Sequence, residues 1–114
     1  MTIPREGKLL RIFIGESDRD GSRPAHEAIV ELARRHGLAG ATVLRGLEGF
    51  GHSSRIHTAK ILRLSMDLPI IIEIVDAAEK IDSFLPLLEP LVGGGLVTLE
   101  RVEVLVYRAA EGKP

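Results

Sequence analysis

Pro69-Ile70-Ile71-Ile72-Glu73-Ile74-Val75 is the stretch on which the fold turns. It is short, β-branched and almost wholly apolar, which predicts a central strand buried on both faces, with Pro69 confined to its start or to a bulge. Downstream, Asp76 and Glu79 have the spacing of a capping box, and Ile81, Phe84, Leu85, Leu88, Leu91 and Val92 recur at helical intervals. Pro86 falls inside that helix. An interior proline removes a hydrogen bond and crowds the carbonyl four residues back, so a kink or break is expected near Leu85.

Upstream, residues 60–66 alternate as a strand does, and residues 51–58 are small and polar, as expected of a mobile loop. Residues 42–50 predict another strand, weakened or bulged at Gly46 and Gly49. Ala25, Ile29, Leu32, Ala33 and His36 give a helix over 24–36, with Pro24 in its first turn and Gly37 as its stop. Leu10, Ile12 and Ile14 alternate with Leu9, Arg11 and Phe13 in a first strand over 8–15. After Gly93, Gly94 and Gly95 the last strand changes apolar parity. Val97 and Leu99 are odd while Val102, Val104 and Val106 are even, which predicts a bulge near Glu100 and Arg101.

Strand, helix, strand, strand, helix, strand is the ferredoxin-like βαββαβ order, an α+β fold with two helices on one face of an antiparallel sheet. Parity assigns Leu10, Ile12, Ile14, Ile70, Ile72, Ile74, Val102, Val104 and Val106 to the helix-facing side. The other side would carry Leu9, Phe13, Ile71, Val75, Leu105 and Tyr107 with Arg11, Glu73 and Glu103. That mixture is too apolar for solvent and too charged for a monomer core, so subunit packing is expected.

The 114 residues, 45% apolar and carrying 15 basic against 16 acidic side chains, fit one domain over 1–114 with an ordered core of about 8–108. The near-neutral balance gives no reason to expect nucleic acid as a partner. With no cysteine, disulfides, thiolate catalysis and sulfur-ligated metals are excluded. The charged N-terminus with Pro4 lacks the apolar core of a signal peptide, and no run approaches the roughly 20 residues that span a bilayer. A cytoplasmic location is the expectation.

Gly46-Leu47-Glu48-Gly49-Phe50-Gly51-His52-Ser53 approaches a phosphate-binding P-loop but places His52 where the essential lysine must stand. Gly49-Phe50-Gly51 opens a dinucleotide pattern whose third glycine would fall at Ser54, and no helix follows. His52 and His57 could bind a transition metal only with a further ligand that the sequence does not offer. Glu16, Asp18 and Asp20 form an acidic cluster able to pair with Arg19 or Arg23, hold a cation or serve as an acid/base pair. His36 suits a helix C-terminus, where its charged form opposes the dipole.

Read together, Gly37-Leu38-Ala39-Gly40-Ala41-Thr42-Val43, Gly49-Phe50-Gly51 and His57-Thr58 resemble the PII signal-transduction superfamily, in which this order runs from the first helix through the second strand into the long T-loop. Residues 67–75 resemble that family's third strand, and Gly93 to Gly95 fall where it has its nucleotide-binding B-loop. Leu62-Arg63-Leu64-Ser65 and Gly94-Gly95-Leu96-Val97-Thr98-Leu99-Glu100 look most like a PII-like branch known only as a domain of unknown function.

The resemblance implies a trimer that binds an adenine nucleotide between subunits and acts on a partner through the T-loop. Thr42, Gly49 and Gly51 would line one wall of the cleft and Gly94 and Gly95 the other. Arg108 is the one retained member of the family's two phosphate-facing arginines, and Gly95 or Leu96 stands at the position of the B-loop lysine. A glycine turn can still offer an anion nest of backbone N–H groups, with charge supplied by Lys60, Arg55, Arg45, Arg101 or Arg108. No tightly bound cofactor is implied. The partner would be a membrane transporter or an enzyme. Two other functions fit the same scaffold: a small enzyme using Glu16, Asp18 or His26, and a metal-responsive trimer akin to the copper-tolerance relatives of PII.

Overall fold

The computed structural model describes residues 3–51, the backbone of 57–58, and residues 67–108. In chain order the elements are β1 (Glu6–Gly15), β2 (Arg19–Asp20), β3 (Arg23–Pro24), α1 (Ala25–Arg35), β4 (Thr42–Arg45), β5 (Glu48–Gly49), β6 (His57–Thr58), β7 (Pro69–Ala77), α2 (Ala78–Leu88), a 3₁₀ turn (Glu89–Leu91) and β8 (Leu96–Glu103). The expected strand over 60–66 and the centre of the expected loop, residues 52–56, lie outside the described residues.

The isoleucine run of β7 does occupy the middle of the sheet, whose order is β4-β7-β1-β8 with antiparallel pairing throughout. That is the ferredoxin-like order. Leu10, Ile12, Ile14, Ile70, Ile72 and Ile74 point into one core with Ala25, Ile29 and Ala33 of α1 and Ile81, Phe84 and Leu88 of α2. Both helices therefore lie on one face. The opposite face of β7 is half-buried rather than buried, at Ile71, Glu73 and Val75.

α1 stops where Gly37 takes φ +82°, a conformation that L side chains rarely adopt. There Leu38 N–H donates to Ala33 O at 3.1 Å, and Lys80 Nζ of α2 donates to Gly37 O at 2.6 Å. A cation on the last carbonyls satisfies acceptors that have no intrahelical donor. His36, the C-cap, adds a 3.0 Å contact from its Nε2 to Ser83 Oγ on α2.

Three expectations are corrected. First, α2 does not break at Leu85: it runs through Pro86 to Leu88 before tightening into the 3₁₀ turn. The proline sits in the last turn, where it costs a single hydrogen bond while buried Phe84 and Leu88 hold the segment to the sheet. Second, Asp76 is not a capping residue. It is the penultimate residue of β7, Ala77 is the N-cap, and no side chain caps the helix. Third, β8 has no bulge. It pairs with β1 without interruption from Glu6↔Glu103 to Phe13↔Leu96. This register puts Val97 beside Ile12 and Leu99 beside Leu10 on the helix-facing side, and Val102 beside Gly7 on the other. Val104 and Val106 lie past the end of the strand.

The helix layer covers the two central strands and leaves both edges open. Val43 on β4 and Val97 and Leu99 on β8 face the helices yet remain about 40% exposed. On the opposite face, the pairing aligns Leu44, Ile71, Phe13 and Leu96 in an apolar row across all four strands. The next row is polar: Thr42, Glu73, Arg11 and Thr98. Arg11 Nε donates to Glu73 Oε2 at 2.9 Å and its Nη1 to Glu100 Oε1 at 2.7 Å. The bond to Glu73 is the main reason its pKa lies above the ordinary arginine value, opposed by desolvation and reinforced by Glu100. Among the described residues no helix is long and apolar enough to cross a membrane.

Candidate functional site

The residues expected to form a cleft fall on two edges of one sheet. At the β4 edge, Gly46 N–H donates to Pro69 O at 2.7 Å, one residue beyond the end of β4. Glu48 and Gly49 then pair with Thr58 and His57 as a two-stranded neck. Gly46 and Gly49 both lie against the Pro69 ring, where a Cβ would come within 2.9 and 3.1 Å of Pro69 Cγ. The expected strand over 42–50 is thus two pieces separated by a change of partner at Gly46. Leu47 and Phe50 project into solvent at 80% and 75% exposure, and Gly51 is exposed.

At the β8 edge, Gly93 to Gly95 connect the 3₁₀ turn to the strand. Gly95 is required by close approach: a Cβ there would stand 2.5 Å from Phe13 O, 2.9 Å from Ile14 Cγ2 and 3.0 Å from Val92 Cγ1. None of these three glycines takes a left-handed φ, the positive-φ glycines among the described residues being Gly21 and Gly37. Three strand spacings separate the β4 and β8 edges, about 14 Å at 4.8 Å each. The β4 and β8 edges therefore do not meet within one chain.

The candidate cations divide. Arg101 pairs in register with Lys8, six residues along β8 from Gly95, or about 20 Å at strand rise, so the two cannot meet one phosphate group within a chain. Arg108 follows Tyr107, whose hydroxyl donates to Ala39 O at 3.2 Å, and this brings the chain's last described residues beside the loop leading into Thr42. Thr42 itself is exposed on the open sheet face, opposite Glu73. Arg45 is engaged by Glu16. Its Nε and Nη2 donate to Oε1 at 3.2 and 3.0 Å, and Nη2 lies 2.8 Å from Oε2. Lys60, Arg55 and His52 lie outside the described residues, as does the His57 side chain.

The acidic cluster is used locally. Glu16 pairs with Arg45 rather than with Arg19 or Arg23, while Arg19 donates to Ser22 O and Asp18 Oδ2 accepts the Gly15 N–H at 3.1 Å. Asp67 Oδ1 accepts the Ser17 N–H at 2.9 Å. His26 is half-buried on α1. Among the described residues no group of three His, Asp or Glu side chains could hold a metal ion.

Sequence reasoning missed Asp76 as an anchor. This wholly buried carboxylate accepts Ala39 N–H at 2.9 Å through Oδ2 and Ala77 N–H at 2.6 Å through Oδ1. With Lys80 on Gly37 and Tyr107 on Ala39, it fixes the loop that delivers Thr42 to the sheet edge. An aspartate ending an isoleucine strand was the available signal, since a buried carboxylate requires donors.

Residues 7–104 match the DUF190 family, described as uncharacterized ACR. A UPF0166 protein of Aquifex aeolicus is 42% identical over 100 residues, covering 86% of this chain and 92% of that protein. A second, from Methanocaldococcus jannaschii, is 36% identical over 95 residues, with 82% and 87% covered. Among solved structures, a PII-like signalling protein of Thermus thermophilus superposes with a TM-score of 0.62 at 23% identity, covering 92% of this chain and 94% of that one. The nitrogen regulatory PII-like protein CPII of Thiomonas intermedia K12, solved bound to ADP, AMP and bicarbonate, gives 0.56 at 22% identity, with 87% and 88% covered. The match over residues 7–104 and the two relatives lead to one conclusion: the chain belongs to the DUF190 (UPF0166) family, and its fold is the ferredoxin-like one shared with the PII-like structures.

Proposed function

We propose that this protein is a PII-like regulator, a homotrimer that binds an adenine nucleotide in clefts between subunits and acts on a partner protein through the excursion beyond the β5 and β6 neck. The observation that carries this reading is the separation, on opposite sides of one sheet, of the β4 edge, from which the chain runs on to Gly49, and the β8 edge, which Gly95 precedes. Two edges that cannot meet within a chain can meet between neighbours in a head-to-tail ring, and a heterologous contact that closes gives cyclic symmetry. The apolar row from Leu44 to Leu96 is the surface such a ring would cover. The ADP and AMP bound by CPII support an adenine nucleotide as effector.

Glycine N–H groups, with Arg45 and Arg108, would hold phosphate, and no covalent step is required of any residue. The role is regulatory rather than catalytic. The test is a thermal-shift screen with AMP, ADP, ATP, bicarbonate and divalent metals, alongside sedimentation equilibrium. A nucleotide present at a hundred times its dissociation constant adds about 2.7 kcal/mol to the folded state. The expected result is a midpoint raised by an adenine nucleotide and a mass three times that of the chain. A monodisperse monomer with no response to any nucleotide would sink the proposal, and turnover lost on removing Glu16 or Asp18 would favour the enzyme.

A further inference from the structure

Glu16 grips both feet of the segment that leaves the sheet. Its backbone N–H donates to Leu68 O at 2.8 Å, at the returning foot, while its side chain takes the Arg45 guanidinium, at the departing one. Arg45 is the last residue of β4 in register with β7, one before Gly46. Two guanidinium N–H groups directed at one carboxylate have the same fork geometry with which arginine holds a phosphate. The pair is open to solvent, with half of the Arg45 side chain and about a quarter of Glu16 exposed, so it contributes little to stability and is replaced at low cost.

We infer that Glu16 tunes the affinity of the effector site: its carboxylate occupies Arg45 as an internal stand-in for the phosphate group of the ligand. A ligand phosphate takes over the guanidinium only if its charge outcompetes a carboxylate already in place. The carboxylate therefore lowers the affinity for a phosphate-bearing ligand and leaves that for an uncharged nucleoside untouched. No covalent change is involved. This inference rests on the proposed nucleotide binding and names the group that tunes it.

The experiment is calorimetric titration of the full chain, wild type, Glu16→Gln and Glu16→Asp, with ADP and with adenosine. The change lies at the surface, and a circular dichroism melt of each variant checks the fold. Removing the competing charge is expected to tighten ADP binding about two- to five-fold, the range set by an exposed ion pair, and to leave adenosine unchanged. Glu16→Asp, which keeps the charge, is expected to retain wild-type discrimination. Amide exchange at 46–49 should quicken in unliganded Glu16→Gln. Wild-type affinity for ADP in Glu16→Gln, or an equal gain for adenosine, overturns the inference and leaves nucleotide binding standing. Failure of the wild type to bind ADP at all overturns the proposed function, and this inference with it.

Discussion

The two faces of the central sheet are built from alternate residues of the same strands, yet they have different chemistry. On β1, Leu10, Ile12 and Ile14 are buried under the helices, while Leu9, Arg11 and Phe13 between them are half-buried on an uncovered face. Among its buried residues the covered face is apolar apart from Asp76, and the uncovered one alternates an apolar row with an ion network around Arg11. The first face stabilises the single chain. The second holds apolar area that one chain leaves partly wet, and a charged row that any partner packing there must accommodate.

If the covered face is what stabilises the chain, its most buried large side chain should matter most. Phe84 is fully buried between the α2 axis and the sheet, and its ring lies 5.7 Å from that of His36. Phe84→Ala is expected to cost about 3–5 kcal/mol, from lost transfer free energy and the cavity left behind. Urea unfolding of the variant measures it, and a loss below about 1 kcal/mol would show that the core can collapse around the deletion.

A second break tests the covered face from its rim. Gly95 directs its missing Cβ at Phe13 O, Ile14 and Val92, so Gly95→Val should destabilise the chain by about 1–3 kcal/mol through overpacking. Loss of nucleotide binding in that variant would therefore follow from either cause. Replacing Gly94 instead, while following the melting midpoint, separates an anion site from a packing defect.

The covered face was legible from sequence where local pattern and long-range pairing agree. The isoleucines of β7 and the even residues of β1 admit one reading, because two central strands must bury the same parity. At β8 that logic failed. Val102, Val104 and Val106 alternate as cleanly as Val97 and Leu99, and only the register with β1, Leu10 beside Leu99, decides which set faces the helices. Asp76 failed for a related reason: three-residue spacing to Glu79 imitates a cap, but β7 extends through Ala77 and takes the aspartate into the sheet. Among the expected site residues, the edges carrying Gly49 and Gly95 followed from strand order. The partner of Arg45 did not, because Glu16 lies 29 positions away and reaches it only after β7 has come between β1 and β4.

Asp76 is the polar exception within the covered face, and it sharpens the contrast by a smaller amount. Asp76→Ala would leave the Ala39 and Ala77 N–H groups without their acceptor, at an expected cost of about 1–3 kcal/mol. Because Ala39 precedes Thr42 by three residues, amide exchange at 39–42 should rise more than elsewhere in the chain. A uniform rise would mean that Asp76 serves global stability alone.

The uncovered face should give the smallest effect on the chain itself, which is where the contrast can fail most informatively. Leu96 ends the apolar row at the β8 edge, paired with Phe13 and 57% exposed, so it gives the single chain little burial to lose. Leu96→Lys should change stability by no more than about 0.5 kcal/mol, measured by urea unfolding at a concentration where only monomer is present. In an assembly the same lysine would have to be desolvated beside Phe13, with the Arg11 guanidinium in the next row. Sedimentation equilibrium should therefore show the mass falling toward that of one chain. Retention of a trimer by Leu96→Lys would put the apolar row outside the subunit contact, and a large loss of monomer stability would mean that this face serves the single chain after all.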